Sequence, residues 1–361
     1  MRNNNNYCVI MSGGVGSRFW PFSKEERPKQ FLDFFGTGRS LLQTTFDRFE
    51  KLIPKENIYV VTNDSYGEIT KKQLPELSES QILLEPLRRN TAPAIAYASF
   101  HIYAKNPDAN IIVAPSDHLI LKEDIFLQEI ERGLEFVENN SCLLTLGITP
   151  SRPETGYGYI QESGEEDIDG IKKVKTFTEK PNIDLAKVFF ESGEFVWNSG
   201  IFLWNVQTII NAFKDHLPEI HNKMLEGKDK FNTPQEKEFI DAAFPFCANI
   251  SIDYGVLEKA DNVYVIGSDF GWSDLGTWGA LYEVSEKDDD DNVSFNSKSL
   301  FFDSNDNVVA MNDNKLVVIQ GLKGYIVAES DNSLLICKKD EEQRIKHFVN
   351  DVKFRYGDDF V

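Results

Sequence analysis

The sequence predicts an α/β protein with a mostly parallel sheet, followed by a small β-rich unit. Five short apolar runs are continuous and rich in β-branched residues, which is the pattern of strands covered on both faces. Helical patterns alternate with these runs, as in a sheet wound on both sides. After Val293 the pattern changes to short strands separated by Asn, Asp and Gly. The five runs are Tyr7–Met11, Ile58–Thr62, Gln81–Leu84, Ile111–Ala114 and Cys142–Gly147.

The helices between these strands have recognisable starts. Ser40 is a typical N-cap residue before an apolar helical stretch. Thr91 is the expected cap of a helix over 92–104, with Pro93 in its first turn. A third helix is expected from Glu123 to Glu138, because its apolar residues fall on one face.

Two features divide the chain. From Gly156 to Asn205 the strands come closer together, which indicates an antiparallel insertion. The acidic run at 286–291 reads as a solvated linker. A metal-binding Asp-x-Asp is the alternative there, but no apolar strand leads into the run to hold its carboxylates.

The C-terminal unit resembles a few coils of a β-helix, although no strict hexapeptide repeat is present. A helix from Asp340 to about Val352 is expected to close it. Its apolar residues look too few to form a core alone, so we expect this unit to pack on the preceding domain or on a second subunit. The expected strands are Leu300–Phe302, Val308–Met311, Leu316–Ile319, Tyr325–Ala328 and Leu334–Cys337.

A glycine-rich loop follows the first strand. Gly13, Gly14 and Gly16 leave a bare backbone whose N–H groups can approach a phosphate, and Arg18 and Lys29 add two positive charges. The loop has neither the dinucleotide-binding pattern nor the Gly-Lys-Ser/Thr of a P-loop. By itself it could also be a glycine-rich turn without a ligand.

Composition limits the partners. Lys and Arg number 38 against 58 Asp and Glu, which gives a net charge of −20 and a pI near 4.7. This charge argues against nucleic acid or an anionic membrane as the main partner. The N-terminal apolar run is too short for a signal peptide, so we expect a cytoplasmic protein. The four cysteines are far apart in sequence, and we expect them to be buried free thiols.

Seven segments together resemble the sugar nucleotidyltransferases, in particular the mannose-1-phosphate guanylyltransferase branch. The loop reads Gly-Gly-x-Gly-x-Arg-x-x-Pro and continues into Pro-Lys-Gln-Phe-Leu. Departures at Val15, Ser17, Phe19 and Gly255 remove no charged or metal-binding group. The other segments, in the order of that branch, are Glu85–Ile95, Ala114–His118, Thr155–Ile160, Phe177–Pro181, Trp197–Phe202 and Ser251–Tyr254 with Gly271–Trp278.

The resemblance implies a Rossmann-like nucleotidyltransferase domain with a mostly parallel mixed sheet. This domain is expected over residues 1–285, with a sugar-binding insertion at about 150–205. The β-rich, β-helix-like unit and its terminal helix are expected over 286–361.

The resemblance also implies a Mg²⁺ ion held by Asp117 and Asp274 against the α-phosphate. Mg²⁺ in such enzymes commonly binds one or two carboxylates together with substrate phosphates. Each aspartate, taken alone, could equally be a helix cap or a turn residue.

The same resemblance gives roles to other residues. Arg18 and Lys29 are expected to hold the triphosphate, and Lys180 the sugar phosphate. Asp253 is interpreted as structural support, and Trp197, Trp272 and Trp278 receive no chemical role. The remaining nucleotide-binding candidates are Ser12, Gly13, Gly14, Gly16, Ser17, Glu85, Asn90, Thr91 and Ser116; the sugar-phosphate candidates are Gly158, Glu179, Lys180 and Asn198.

The expected reaction is transfer of GMP from GTP to α-D-mannose 1-phosphate, which gives GDP-mannose and diphosphate. The attacking phosphate oxygen is already ionised, so the reaction needs positioning and electrostatics and no catalytic triad. Two alternatives stay open: another base and sugar, such as glucose 1-phosphate with UTP or dTTP, or a non-catalytic nucleotide-sugar sensor. A homodimer is expected from the base rate of symmetric oligomers.

Overall fold

A computed structural model describes residues 3–361, and for residues 165–167 and 312–314 it describes the backbone alone. The helices are α1 (Leu41–Glu50), α2 (Gly67–Gln73), α3 (Thr91–Lys105), α4 (Glu123–Asn139), α5 (Ile183–Ser192), α6 (Val206–His216), α7 (Pro218–Leu225), α8 (Glu236–Ala243), α9 (Trp278–Glu283) and α10 (Ile345–Tyr356). Among the described residues, none of the helices has both the length and the apolar character needed to cross a bilayer.

The strands include all five predicted apolar runs. In chain order they are β1 (Asn6–Ser12), β2 (Ile58–Asn63), β3 (Ile82–Glu85), β4 (Asn110–Pro115), β5 (Leu119–Ile120), β6 (Leu143–Ile148), β7 (Tyr159–Ile168), β8 (Ile171–Thr178), β9 (Phe195–Asn205), β10 (Val263–Ser268), β11 (Trp272–Ser273), β12 (Val293–Phe302), β13 (Val308–Gln320), β14 (Tyr325–Ser330) and β15 (Ser333–Lys338).

The chain forms two compact units. The first, here called the sheet unit, comprises residues 1–13, 46–116 and 120–272. The second, the loop unit, comprises residues 14–45, 117–119 and 273–361. From Gly14 onward, the glycine loop and the segment that follows it therefore group with the C-terminal part of the chain. The domain boundary at residue 285 stays a prediction.

A mixed sheet organises the sheet unit. Its described strands have the order β3-β2-β1-β4-β9-β6-β10-β8-β7. β1 is parallel to both β2 and β4, and β10 is parallel to β6. The predicted antiparallel insertion is confirmed, because β7 pairs antiparallel with β8 and β9. Since β1 and β4 are neighbours whose connections leave in opposite directions, a ligand crevice is expected at their carboxyl ends.

In the core of the sheet unit, helices pack on the sheet, as the sequence predicts. Residues of β1, β2 and β4 pack with α3 and α6 in one apolar cluster that includes the fully buried Trp204 and Phe213. Ile130 and Val137 of α4 are buried on the face expected from the sequence. All four cysteines are buried free thiols, as predicted.

The predicted cap of α3 is wrong by one residue. Asn90 is the N-cap, and its Oδ1 accepts a hydrogen bond from the Thr91 N–H at 2.9 Å. The hydroxyl of Thr91 instead accepts a hydrogen bond from the N–H of Ile252 at 2.9 Å. The Thr91 side chain, which the local sequence predicts to cap the helix, is thus used in a tertiary contact with a residue 161 positions away.

The loop unit contains a small β-helix-like sheet. β12, β13 and β14 run parallel, and β15 closes the sheet as the antiparallel partner of β14. The two strands predicted at 308–311 and 316–319 are one strand, β13. The terminal helix begins at Ile345, five residues later than predicted, because residues 339–344 form a 3₁₀ turn.

The C-terminal strands pack on the loop segment of their own unit. Val308, Ala310, Ile326 and Ala328 share a buried cluster with Phe19 and other loop residues. The expectation that the β-rich unit packs on the preceding domain is thereby confirmed for the residues of this cluster, whereas Leu316, Val318 and Ile336 stay exposed. The acidic run closes a turn, in which the Asp288 carboxylate accepts hydrogen bonds from the N–H groups of Asp290 and Asn292.

Candidate active site

The ammonium group of Lys29 contacts two aspartates of the loop unit. Its side chain is 3% exposed. Its ammonium donates to Asp117 Oδ2 at 3.0 Å and to the carbonyl oxygen of Asp274 at 2.6 Å. The Nζ atom also lies 5.7 Å from the centroid of the Phe19 ring. Three of the predicted site residues, far apart in sequence, therefore meet at one ammonium group.

The charge of Asp117 is set by its surroundings. Burial alone would raise the pKa of this carboxyl group, but the charges of Lys29 and, next, His118 lower it. The net pKa lies below the ordinary value, so Asp117 is ionised at neutral pH. An ionised carboxylate is the form that can bind a cation.

Gly16 is required by the packing of Lys29. Its φ of 70° lies in the left-handed region, and a Cβ atom added to it would lie 2.5 Å from the Cβ of Lys29. A Cβ atom at Gly14 would meet no atom within 4 Å. The need for glycine at position 16 thus follows from packing within the protein. The open space at Gly14 is compatible with the predicted approach of a phosphate.

Arg18 lies on the 3₁₀ turn Ser17–Phe19. Its Nε atom is buried and has no hydrogen-bond partner within residues 3–361 as described. A second cation, Lys346 of α10, is near: burial lowers the pKa of Lys346, and the positive charge of Arg18 lowers it further. Two like charges at one place favour binding of an anion.

The donor set fits a divalent cation of the Mg²⁺ type. The carboxylates of Asp117 and Asp274 are hard oxygen donors, and Asp274 is oriented by the Gly276 N–H, which donates to its Oδ1 at 2.9 Å. Across the described residues, no three His, Cys, Asp or Glu side chains form a group that could hold a metal by themselves. Mg²⁺ commonly binds one or two carboxylates and completes its coordination shell with substrate phosphates.

Several of the predicted nucleotide-side residues lie in the sheet unit, at the carboxyl ends of its parallel strands, whereas Gly14, Gly16 and Ser17 belong to the loop unit. Ser12 ends β1 and its carbonyl oxygen accepts a hydrogen bond from Thr62 Oγ at 2.7 Å. Ser116 follows β4, and its N–H donates to the Met11 carbonyl at 3.0 Å. Glu85 ends β3. These residues therefore lie at the sheet edge where the strand order predicts a ligand.

Glu85 is a buried carboxyl group with an unused acceptor. It is 6% exposed, and its Oε1 has no hydrogen-bond partner among the described residues. Its Oε2 lies 3.8 Å from the position that a Cβ of Gly13 would occupy. Burial raises the pKa of Glu85 to about 8, against the opposing charge of Arg88. A buried carboxyl group of this kind is unfavourable unless a ligand satisfies it.

Glu179 also has a buried, unpaired oxygen. Its side chain is 7% exposed, its Oε1 pairs with Lys180 Nζ, and its Oε2 has no partner in the described part of the chain. A Cβ on Gly158 would collide with that Oε2, so the glycine makes room for the carboxylate. The Asn198 N–H donates to the Gly158 carbonyl at 2.8 Å. The four predicted sugar-phosphate residues therefore lie together.

Asp253 belongs to this group, although the sequence suggested only a supporting role for it. Its Oδ1 accepts a hydrogen bond from Asn198 Nδ2 at 2.9 Å. Burial and the neighbouring charge of Glu179 raise its pKa to about 6. The segment Ser251–Tyr254 is the available sequence signal, but nothing local tells a ligand from a support.

Aromatic residues adjacent in sequence to Gly158 and Asn198 contact one another. Tyr157 makes edge contacts with Trp197 and Trp272, each at 5.1 Å between centroids. The guanidinium of Arg152 lies 5.5 Å from the Trp197 ring. Trp278, by contrast, is fully buried in the core of the loop unit, where a role in packing is sufficient.

A match to the Nucleotidyl transferase family covers residues 7–291. The chain belongs to this family. The resemblance inferred from the motifs is thereby confirmed, together with the nucleotidyltransferase fold. A second match, to the MannoseP isomerase/GMP-like beta-helix domain, covers residues 298–352 and agrees with the predicted C-terminal unit.

Among curated nucleotidyltransferase relatives, the chain is 38% identical over 350 residues to a putative mannose-1-phosphate guanylyltransferase of Vibrio cholerae. This alignment covers 96% of the chain and 74% of the relative. A mannose-1-phosphate guanylyltransferase of Escherichia coli is 36% identical, with 94% and 74% covered. The chain thus spans about three quarters of the length of these relatives.

A crystal structure from Thermus thermophilus supports the same placement in the family. It is described as a mannose-1-phosphate geranyltransferase and is 30% identical to the chain, with a TM-score of 0.87. The superposition covers 97% of the chain and 99% of that structure. The similarity therefore includes both the α/β part and the C-terminal β-rich part.

Proposed function

We propose that this nucleotidyltransferase transfers GMP from GTP to α-D-mannose 1-phosphate and releases diphosphate. The relatives named above support this choice of substrates. The observation that carries it within the chain is the buried Oε1 of Glu85, an acceptor without a protein partner among the described residues. Guanine offers two adjacent donors, N1–H and the 2-amino group, whereas uracil and thymine offer one N–H. A carboxylate suits the guanine pattern.

The chemistry divides among the residues already described. A phosphate oxygen of the sugar phosphate attacks the α-phosphorus, a new P–O bond forms, and the bond to the β-phosphate oxygen breaks with its electrons leaving on diphosphate. Arg18 stabilises the negative charge of the leaving diphosphate. Lys180 attracts the sugar phosphate, and Glu179 accepts hydrogen bonds from sugar hydroxyls. These roles are electrostatic, and none needs a general base.

Asp117 and Asp274 would hold Mg²⁺. When no metal is bound, the charge of Lys29 keeps Asp117 ionised. The bound metal would neutralise charge on the α-phosphate during transfer. Ser12, Gly13, Gly14, Gly16, Ser17, Asn90, Thr91 and Ser116 form the proposed nucleotide side. We place the enzyme in the cytoplasm as a homodimer.

The decisive experiment pairs the purified protein with each nucleoside triphosphate and sugar 1-phosphate, with and without Mg²⁺. We expect the highest kcat/KM for GTP with mannose 1-phosphate, and turnover only with the metal. If UTP or dTTP with glucose 1-phosphate is at least tenfold better, the proposed substrates are wrong. Binding of nucleotides without turnover of any pair would favour a nucleotide-sugar sensor.

A further inference from the structure

The side-chain amide of Asn198 is held by protein contacts at both ends. Its Oδ1 accepts a hydrogen bond from the Gly200 N–H at 3.1 Å, and its Nδ2 donates to Asp253 Oδ1 at 2.9 Å. The hydroxyl of Thr145 lies 3.2 Å from the same Oδ1, but it also lies 3.1 Å from the Ile201 carbonyl. With one proton for two acceptors, Thr145 does not fix the amide.

The orientation of this amide decides what a ligand meets. An amide that is free to turn presents either a carbonyl oxygen or an N–H group. Because the Gly200 N–H can only donate and the Asp253 carboxylate can only accept, the two together place the nitrogen of Asn198 on the Asp253 side. Of these two contacts, only that of Asp253 comes from a side chain.

The turn that contains Asp253 also holds the neighbouring site residues. It is a single π-helical turn, Asp253–Leu257, of the kind often found at functional sites. The Tyr254 hydroxyl donates to the Glu179 carbonyl at 3.4 Å, and Glu258 Oε1 accepts from the Glu179 N–H at 3.2 Å. One turn thus contacts both Asn198 and the backbone before Lys180.

We propose that Asp253 is a positioning residue for the sugar phosphate: its carboxylate fixes the Asn198 amide so that an N–H group is offered to a sugar hydroxyl. This inference rests on the proposed function, in which Asn198 and Glu179 bind the sugar. It predicts that loss of the Asp253 charge weakens binding of mannose 1-phosphate and leaves binding of GTP unchanged.

Protonation of Asp253 should have the same effect as its substitution. The charged groups that act on it are Glu179 and Lys180, and the titratable groups on or next to its own turn are Tyr254 and Glu258. Burial and Glu179 raise the pKa of Asp253, and Lys180 opposes them. Since protonation removes the negative acceptor, sugar-phosphate binding should weaken as the pH falls through about 6.

The test compares Asp253→Asn with wild type in steady-state kinetics. A hydrogen bond to a charged group predicts that the KM for mannose 1-phosphate rises about ten- to a hundredfold. The KM for GTP should stay within about twofold, since no contact of Asp253 described above involves the residues proposed for the nucleotide. The matched control is Asp261→Asn, an exposed aspartate nearby in the chain, which should change neither constant.

A double-mutant cycle with Asn198→Ala separates positioning from other effects. If Asp253 acts through Asn198, Asp253→Asn should add no further rise in KM once Asn198 is truncated. The same rise in both backgrounds would overturn the inference, as would an unchanged KM in the single variant. Wild-type protein that turns over no substrate pair would overturn the proposed function, and the inference with it.

The pH profile tests the same contact without altering Asp253. The wild-type KM for mannose 1-phosphate should rise more steeply below pH about 6 than that of Asn198→Ala. The phosphate of the substrate titrates in the same range, but it does so equally for both proteins. Parallel profiles would refute a role for Asp253 through Asn198 even if Asp253→Asn does not fold.

Discussion

The ammonium of Lys29 lies against both predicted metal-binding residues, Asp117 and Asp274. In a chain of net charge −20, this buried cation is paired with the carboxylate of Asp117 and holds the backbone carbonyl of Asp274. The same arrangement gives an incoming divalent cation an ionised carboxylate to bind.

Asp117→Asn and Asp274→Asn should each lower kcat by roughly 10²–10³, because each removes a charged ligand where charge accumulates in transfer. The double variant should be little worse than the worse single one, as for groups that act as a unit. The measurement is kcat as a function of Mg²⁺ concentration. Asp303→Asn, an exposed residue of the same unit, is the control and should keep full activity. Turnover near the wild-type value for either variant at limiting Mg²⁺ would remove the metal assignment.

Glu85 links base recognition to pH. In the folded protein the pKa of Glu85 is about 8, compared with the ordinary value of 4.5. Between these two pH values the folded protein holds a proton on Glu85 that the unfolded chain has lost, so the free energy of unfolding falls as the pH rises from 4.5 to about 8. Glu85→Gln should remove this loss, so the variant should gain stability over wild type between about pH 5 and 8. The gain is at most about 1.4 kcal/mol per pH unit. Urea unfolding at several pH values measures it.

The same variant should lose selectivity for guanine. Wild type should prefer GTP to ITP, which lacks the 2-amino group, and Glu85→Gln should reduce this preference. GTP binding should also release a proton below about pH 8, which calorimetry in buffers of different ionisation enthalpy detects. An unchanged GTP-to-ITP ratio in Glu85→Gln would exclude Glu85 from the base site.

At the level of single elements, the glycine loop shows two different uses of glycine. Gly16 has a positive φ and packs against Lys29, whereas Gly14 borders open space. The loop sequence alone makes the two residues look equivalent. Their different surroundings separate a role in the fold of the loop from a role toward a ligand.

Gly16→Ala should therefore lower stability by about 1–3 kcal/mol, since the left-handed conformation and the contact with Lys29 both oppose a Cβ atom. Thermal unfolding compared with wild type measures the effect. Gly14→Ala is the matched control, and its Tm should stay near that of wild type. Equal destabilisation by the two substitutions would contradict the structural distinction.

At the level of the whole molecule, the C-terminal strands and the glycine loop form one compact unit. Its core combines residues of β13 and β14 with Phe19, Trp20 and Trp278. The Nε1–H of Trp20 donates to the Phe360 carbonyl at 2.7 Å, close to the end of the chain. The loop that carries Arg18 thus depends on the C-terminal segment for its packing.

Deletion of residues 293–361 should expose this core and either lower solubility or change the oligomeric state. Activity should fall as well, because Phe19, next to Arg18, loses the part of its apolar cluster that the C-terminal segment supplies. Size-exclusion chromatography with light scattering, followed by the transferase assay, measures both effects. A truncated protein that is soluble, fully active and unchanged in size would refute a structural role for the segment.

Local sequence determined the elements of this protein and the chemistry available to them. Continuous β-branched runs predicted β1 to β4 and β6, because a strand buried on both faces needs apolar residues at every position. The glycines, Arg18 and Lys29 indicated a polyanion site, and the ordered motifs identified the family. None of these inferences requires knowledge of contacts between distant segments.

Tertiary structure decided how those residues are used, since the relevant contacts join segments far apart in the chain. Lys29 and Asp117 are 88 residues apart, and Asn198 and Asp253 are 55 apart. The Thr91 side chain serves Ile252 rather than its own helix, so Asn90 caps α3. Propensity and spacing describe neighbours along the chain, whereas burial of a charge or the orientation of an amide depends on what the fold brings against it.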